Sequence, residues 1–261
     1  MESMKQYKVF ILRHRLEGSS IAKAIFSLVD AIWEKVHVPK DCRVVVWRRE
    51  WNAPSSLDYF SFYSTAITQG FFRFVEMWQH TPAWWGVICD SDVVPTHPES
   101  LVKLVEFLDA LPHHVVICCR RSIWLSGVSS IMFKFSYNPK HQRILVSPHR
   151  LHIPTGLLAF RASFLPMLMT LFLPVRSRFH PSTVVVGECV NDYIYNLLEQ
   201  DIPAVATFPY RFLRVYFTQS VDELVGSKDL PYFIHPAGPT FVPEMFSFLS
   251  WLWQHFGEIG R

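Results

Sequence analysis

Two aspartates one residue apart, Asp90 and Asp92 around Ser91, follow the apolar run Ala83–Cys89 (AWWGVIC). A carboxylate pair at the end of a buried strand repels itself, and a hard divalent cation is the charge that compensates it best. Open α/β sheets bind ligands outside the carboxyl ends of their strands, which is where this triplet falls. The same letters also suit a solvated turn whose aspartate caps the next helix.

The elements that must carry the triplet read as an α/β chain. Tyr7–Leu12 (YKVFIL) predicts a first buried strand, followed by a polar turn from Arg13 to Gly18. Ser19 or Ser20 suits a helix N-cap, and Ile21, Ala24, Ile25, Leu28, Val29 and Ile32 recur at helical spacing. Arg43–Trp47 is a second strand, so the first 47 residues read β-α-β with a right-handed crossover. A polar loop from Arg48 to Ser56 and a helix from about Leu57 to Gln79 lead into the strand that ends in Asp90. Pro95–Leu111 predicts a helix with Leu101, Leu104, Val105 and Leu108 on one face, and Val115–Cys119 a fourth strand.

Farther on, Ile131–Phe135 and Arg143–Val146 suggest a small antiparallel excursion. Leu157–Phe160 is a strand and Ser163–Phe172 a helix. A helix from Gly187 or Glu188 to Gln200, strands at Ile202–Thr207 and Tyr232–His235, and a terminal helix from about Val242 to Phe256 complete the chain. That last helix places Phe246, Leu249, Trp253 and Phe256 on one stripe, with Phe248 and Trp251 as apolar surface outside it. A peripheral membrane contact there is one expectation; packing against the sheet is the other.

Composition sets bounds. Half of the 261 residues are apolar, enough for a substantial core, and no run reaches the length of a membrane span. The formal net charge of +3 suits a small anionic ligand and is no nucleic-acid footprint. The five cysteines, Cys42, Cys89, Cys118, Cys119 and Cys189, are odd in number and without a CxxC pair, and three lie in strand-like runs. They read as free thiols in a reducing compartment. With no signal-peptide pattern and no Asn-x-Ser/Thr sequon, the expectation is a cytoplasmic chain, membrane-associated at most. The loop Arg176–Val185 is either a phosphate-contacting lid or a solvated charge run.

The order of these elements resembles the GT-A fold glycosyltransferases, over about residues 7–240. YKVFILRHRLEGSSIAKAIFSLVDAI resembles their opening strand, turn and helix; QGFFRFVEMW the helix that carries an Arg; DSDVVPTHPESLVKLVEFL their D-x-D motif and its helix. IPTGLLAFRASFL is similar to the glycine-containing strand on the acceptor side, and VGECVNDYIYNLLEQDIPAV to the acidic helix start. The resemblance implies a single Rossmann-like domain with a mostly parallel sheet flanked by helices. About 1–120 would be the nucleotide-sugar-binding half, about 121–240 the acceptor-side half, and 241–261 the C-terminal helix. It further implies sugar transfer from a nucleotide-diphosphate donor, UDP- or GDP-linked, to a hydroxyl on a glycan, a lipid-linked acceptor or a protein.

By the same resemblance, Asp92 would hold Mn2+ or Mg2+, with Asp90 acting directly or through water or the ribose, and His235 as an additional ligand. Arg13, His14, Arg73, Asp90 and Ser91 would contact the donor. Glu188 matches the first acid of the family's acidic pair, a general base in members that invert. Cys189 stands where the family has the second acid, so Asp192, one helical turn beyond Glu188, is the alternative base.

Two other readings stay open on the letters. Haloacid-dehalogenase-type phosphatases also place D-x-D after a buried strand, with the first aspartate, here Asp90, as nucleophile. That arrangement needs the Asp90 strand at the sheet centre, flanked directly by the strands near 115 and 184. A non-catalytic sugar- or partner-binding module on the same fold is the third reading.

Overall fold

A computed structural model describes residues 6–17, 20–50, 70–118, 134–138, 143–147, 156–171, 204–217, 221–237 and 243–258. Strand β1 (Tyr7–Glu17), helix α1 (Ser20–Trp33) and strand β2 (Cys42–Glu50) form the expected β-α-β unit, with β1 and β2 parallel. Both strands outrun the sequence reading. The predicted turn at Arg13–Glu17 and the start of the predicted loop at Arg48 are strand, because Arg13–Glu17 pairs residue for residue with Val46–Glu50. Backbone pairing here outweighs side-chain polarity, as strand propensity depends on the neighbour as much as on the residue.

Residues 70–79 are helical (α2) and lead into β3 (Ala83–Asp90), which lies parallel to β1 on the side away from β2. Next to β3 sits β8 (Leu157–Arg161), antiparallel to it, and β8 is followed across the sheet by β5 (Val116–Cys118) and β9 (Val205–Thr207). The six-stranded order is β2-β1-β3-β8-β5-β9, mostly parallel with β8 reversed. This order rules out the phosphatase arrangement: β5 does not flank the Asp90 strand, since β8 stands between them.

Two short hydrogen-bonded strands, β6 (Lys134–Asn138) and β7 (Arg143–Ser147), form the expected antiparallel excursion. A three-stranded sheet, not foreseen as a unit, joins β10 (Leu213–Phe217), β11 (Phe233–Ala237) and β4 (Val94–Pro95). Val94 lies just before, and Pro95 at, the expected start of a helix. They extend instead, because prolines at 95 and 98 push the residues before them out of helical geometry, and Val94 and Pro95 pair with Ile234 and Phe233. Helix α3 starts only at Ser100 and runs to Asp109, burying Leu101, Leu104, Val105 and Leu108 as the spacing predicts.

The large sheet is covered on both faces, which is why its strands read as unbroken apolar runs. On one face Val9, Ile11, Trp85, Val87 and Cys89 pack with Ile25, Val29 and Ile32 of α1 and with α3. On the other, Phe10, Leu12 and Ile88 meet Phe71, Phe74 and Trp78 of α2, and Leu168 of α4 (Leu165–Leu171). Each of the large side chains fully removed from water here contributes on the order of 1.5–3 kcal/mol.

The terminal helix α5 (Pro243–His255) buries Met245, Phe248, Leu249 and Leu252. This rotates the expected stripe by about one position: Phe246 and Trp253 are exposed, at 48% and 42%, while Phe248 is wholly buried and Trp251 packs on the core. Lys35, in the turn that follows α1, lies over the Trp253 ring, 4.2 Å from its centroid. Among the described residues no helix is long and apolar enough to cross a membrane. Cys42, Cys89 and Cys118 are buried free thiols, and burial, with Asp41 adding to it, pushes the Cys42 pKa to about 12.

Gly86 in β3 lies flat against the Trp78 indole, and a Cβ there would stand 2.5 Å from the ring. Gly86→Ala is expected to destabilise the protein by about 1–3 kcal/mol through overpacking. Urea denaturation checks it, and an unchanged midpoint would refute the packing argument.

Candidate functional site

The candidate site is built where β3 ends. Asp90 is the last residue of β3, Ser91 and Asp92 turn the chain, and Val93 and Val94 dive back into the core. That brief return is what lets β4 pair with β11. Hydrogen bonds extend the pairing beyond the strands. The Thr96 amide donates to the Tyr232 carbonyl at 3.1 Å, the Thr96 hydroxyl donates to the Pro231 carbonyl, and the Ser100 hydroxyl donates to the Tyr232 carbonyl at 2.8 Å. Ile234 is therefore held opposite Val94, and His235 comes to stand beside the aspartates.

Asp90, Asp92 and His235 each offer one ligand atom, and the three atoms lie within 4.8 Å of one another. His235 Nε2 is 3.4 Å from Asp92 Oδ1, and the two side chains are only 7% and 14% exposed. Burial by itself would drive the His235 imidazolium to lose its proton. The charge of Asp92, its hydrogen bond and the charge of Asp90 outweigh burial, so the pKa lies above the ordinary 6.5. Two carboxylate oxygens and an imidazole nitrogen around one point are a donor set that suits Mn2+ or Mg2+, with the imidazole favouring the former. Below its raised pKa, the His235 imidazolium supplies compensating charge when no cation is bound.

The other residues singled out in the sequence are not all drawn to this point. His14 is: it sits directly opposite Asp90 in the β1–β3 register, buried, with its ring stacked on Trp47 of β2 at 5.2 Å between centroids. Gly70 at the start of the described part of α2 lies against the same imidazole. Ser91 is partly exposed between the two aspartates. Arg13 points into the opposite layer, where its guanidinium donates to Asp30 Oδ1 of α1 at 2.9 Å and lies 4.3 Å above the Trp33 ring. Arg48, exposed, reaches the other Asp30 oxygen at 3.4 Å. Arg73 pairs with Glu76 on its own helix at 2.7 Å. Glu188, Asp192 and the 176–185 loop lie outside the described residues.

Four residues that shape the site were not singled out beforehand. Trp47 and Arg48 fell in or beside a segment read as strand and loop, and Thr96 and Ser100 in one read as helix. Their work is done through contacts with segments distant in sequence, and the only local hint was the pair of prolines around Thr96.

No family model matches the sequence, and no curated protein matches it. Among solved structures, a glycosyltransferase involved in the glycosylation of the major capsid of PBCV-1 is similar over 92% of this chain and 98% of its own, at 14% identity and a TM-score of 0.50. The chain shares that fold. Mouse xyloside xylosyltransferase 1 (apo form) aligns with 92% of this chain and 100% of its own at 12% identity and a TM-score of 0.43. The bifunctional WbbM apo structure aligns with 96% and 50%, at 12% identity and 0.48. At such identities the likeness is one of architecture: an α/β glycosyltransferase fold with a mostly parallel six-stranded sheet.

The raised His235 pKa has a definite sign in stability. In the metal-free protein the folded state holds a proton that the unfolded state releases near 6.5. The stabilisation is complete below 6.5 and is lost as pH rises through the folded-state value. Asp92→Asn is expected to lower the His235 pKa, leaving burial opposed mainly by Asp90, and to flatten that pH dependence. Imidazole titration by NMR reads the first and urea midpoints across pH the second; an unmoved pKa would show that Asp92 does not govern it.

Proposed function

We propose that the protein is a metal-dependent glycosyltransferase that moves a sugar from a nucleotide-diphosphate donor, UDP- or GDP-linked, to an acceptor hydroxyl. The observation that carries this reading is the Asp90–Asp92–His235 cluster at the carboxyl end of β3, in a chain with a glycosyltransferase fold. A buried-strand terminus with two acids and an imidazole is costly to build and is suited to a divalent ion beside phosphates.

In this reading Asp92, Asp90 and His235 hold Mn2+ or Mg2+. When bound, such an ion supplies the positive charge that stabilises a departing nucleoside diphosphate. The protein's part is to bind and orient. His14, next to Asp90 across the β1–β3 ladder, and Ser91 line the donor side. Trp47 backs the His14 ring, and Arg48 adds positive charge at the same edge of the sheet. Arg13, paired to Asp30, supports that edge from beneath and does not face the cluster. Arg73 is a donor contact only on the strength of its sequence position. On the acceptor side, Glu188 is the proposed base that takes the hydroxyl proton, with Asp192 as the alternative. The acceptor is a glycan, a lipid-linked molecule or a protein.

A thermal-shift screen of UDP and GDP with and without Mn2+ tests the reading directly. Stabilisation by nucleotide is expected only with the metal, because a ligand that binds the folded state alone shifts unfolding by mass action. Asp92→Ala should abolish that shift; an undiminished shift would sink the proposal. Mn2+ binding should also weaken as pH falls, since the proton competes for His235 from a pKa above 6.5. Glu188→Gln should keep donor binding and lose turnover, and full transfer by that variant would move the role to Asp192.

A further inference from the structure

We propose that Gly156 is a positioning residue for His235: the missing side chain at 156 leaves the space in which the imidazole stands against Asp90 and Asp92. The inference rests on the reading of these three side chains as a metal centre.

Gly156 immediately precedes β8, and its carbonyl accepts the Asp90 amide at 2.8 Å, so its backbone is tied to the end of β3. A Cβ added there would lie 2.2 Å from His235 Nδ1 and 2.5 Å from Cε1 and Cγ. Contacts that short do not occur, so one partner would have to move. The glycine cannot retreat, because the hydrogen bond to Asp90 and the β3–β8 ladder hold it. The imidazole is itself constrained among the described residues: it is buried, β11 is fixed to β4, and Nε2 already faces Asp92 at 3.4 Å.

Backbone conformation does not explain the glycine. The positive-φ glycines among the described residues are Gly226 and Gly257, so Gly156 is not there to adopt a left-handed turn. What remains is close approach. The environment of Nδ1 agrees. This buried nitrogen finds no hydrogen-bond partner among the described residues, although an unpaired buried polar atom is unfavourable. Among the described residues the ring is held there by shape and by the carboxylates, not by a bond to its far nitrogen.

The test is a double-mutant cycle of Gly156→Ala and His235→Ala, read by Mn2+ titration and by urea denaturation. Gly156→Ala is expected to weaken Mn2+ binding at least tenfold, about as much as His235→Ala, and the double variant should bind no more weakly than either alone. The stability lost through Gly156→Ala in the native background should disappear in the His235→Ala background, where the ring is gone. If Gly156→Ala does not fold by itself, recovery of folding in the double variant supports the proposal. Native Mn2+ affinity in Gly156→Ala, or an equal stability loss in both backgrounds, overturns it. If the native protein binds no Mn2+, the metal reading fails, and the stability cycle alone then upholds or overturns the Gly156–His235 contact.

Discussion

The pairing of β4 with β11 is the constraint on which the candidate site depends. It joins segments some 135 residues apart, as the Thr96–Pro231 hydrogen bond shows. Closing a loop of that length costs about 4 kcal/mol of chain entropy. The burial of Val93, Val94, Phe233 and Ile234 offsets it, at about 1.5–3 kcal/mol for each well-buried large side chain. The hydrogen bonds from Thr96 and Ser100 then set the register. Without this closure Asp90 and Asp92 would be two like charges at a strand end without the His235 imidazole beside them.

The reversed strand β8 has a comparable role on the other side. By inserting between β3 and β5 it gives the Asp90 strand an antiparallel neighbour whose first residues sit at the site. The Gly156 carbonyl fixes the Asp90 amide, so the strand end is held from both flanks: β1 through His14 and β8 through Gly156. The same insertion separates β3 from β5 and so removes the phosphatase arrangement. Beneath the sheet edge, the buried Arg13–Asp30 pair, with Arg48 on the outer oxygen, anchors α1 to β1 and β2. A buried guanidinium is tolerated only with such a partner.

Much of the fold was legible in the residues. The central strands show as the apolar runs YKVFIL and WWGVIC and the edge strand as VVVW, and the stripe Leu101, Leu104, Val105, Leu108 announced α3. The mistakes share a cause. The polar ends of β1 and β2, the extended Val94–Pro95 and the rotated face of α5 were each decided by a partner elsewhere in the chain. Local periodicity cannot report that partner, and for α5 a shift of one residue turns Phe248 from expected surface into core.

For the site, composition and spacing by themselves determined that two acids would end a buried strand and would need a positive charge. The resemblance added His235 to them, at a distance in sequence of more than 140 residues. Only the tertiary structure decided that these three meet, because their meeting depends on a two-residue strand too short to show any periodicity. It also separated the two neighbours Arg13 and His14. Successive residues on a strand point to opposite faces, so His14 lies beside Asp90 while Arg13 turns away to Asp30.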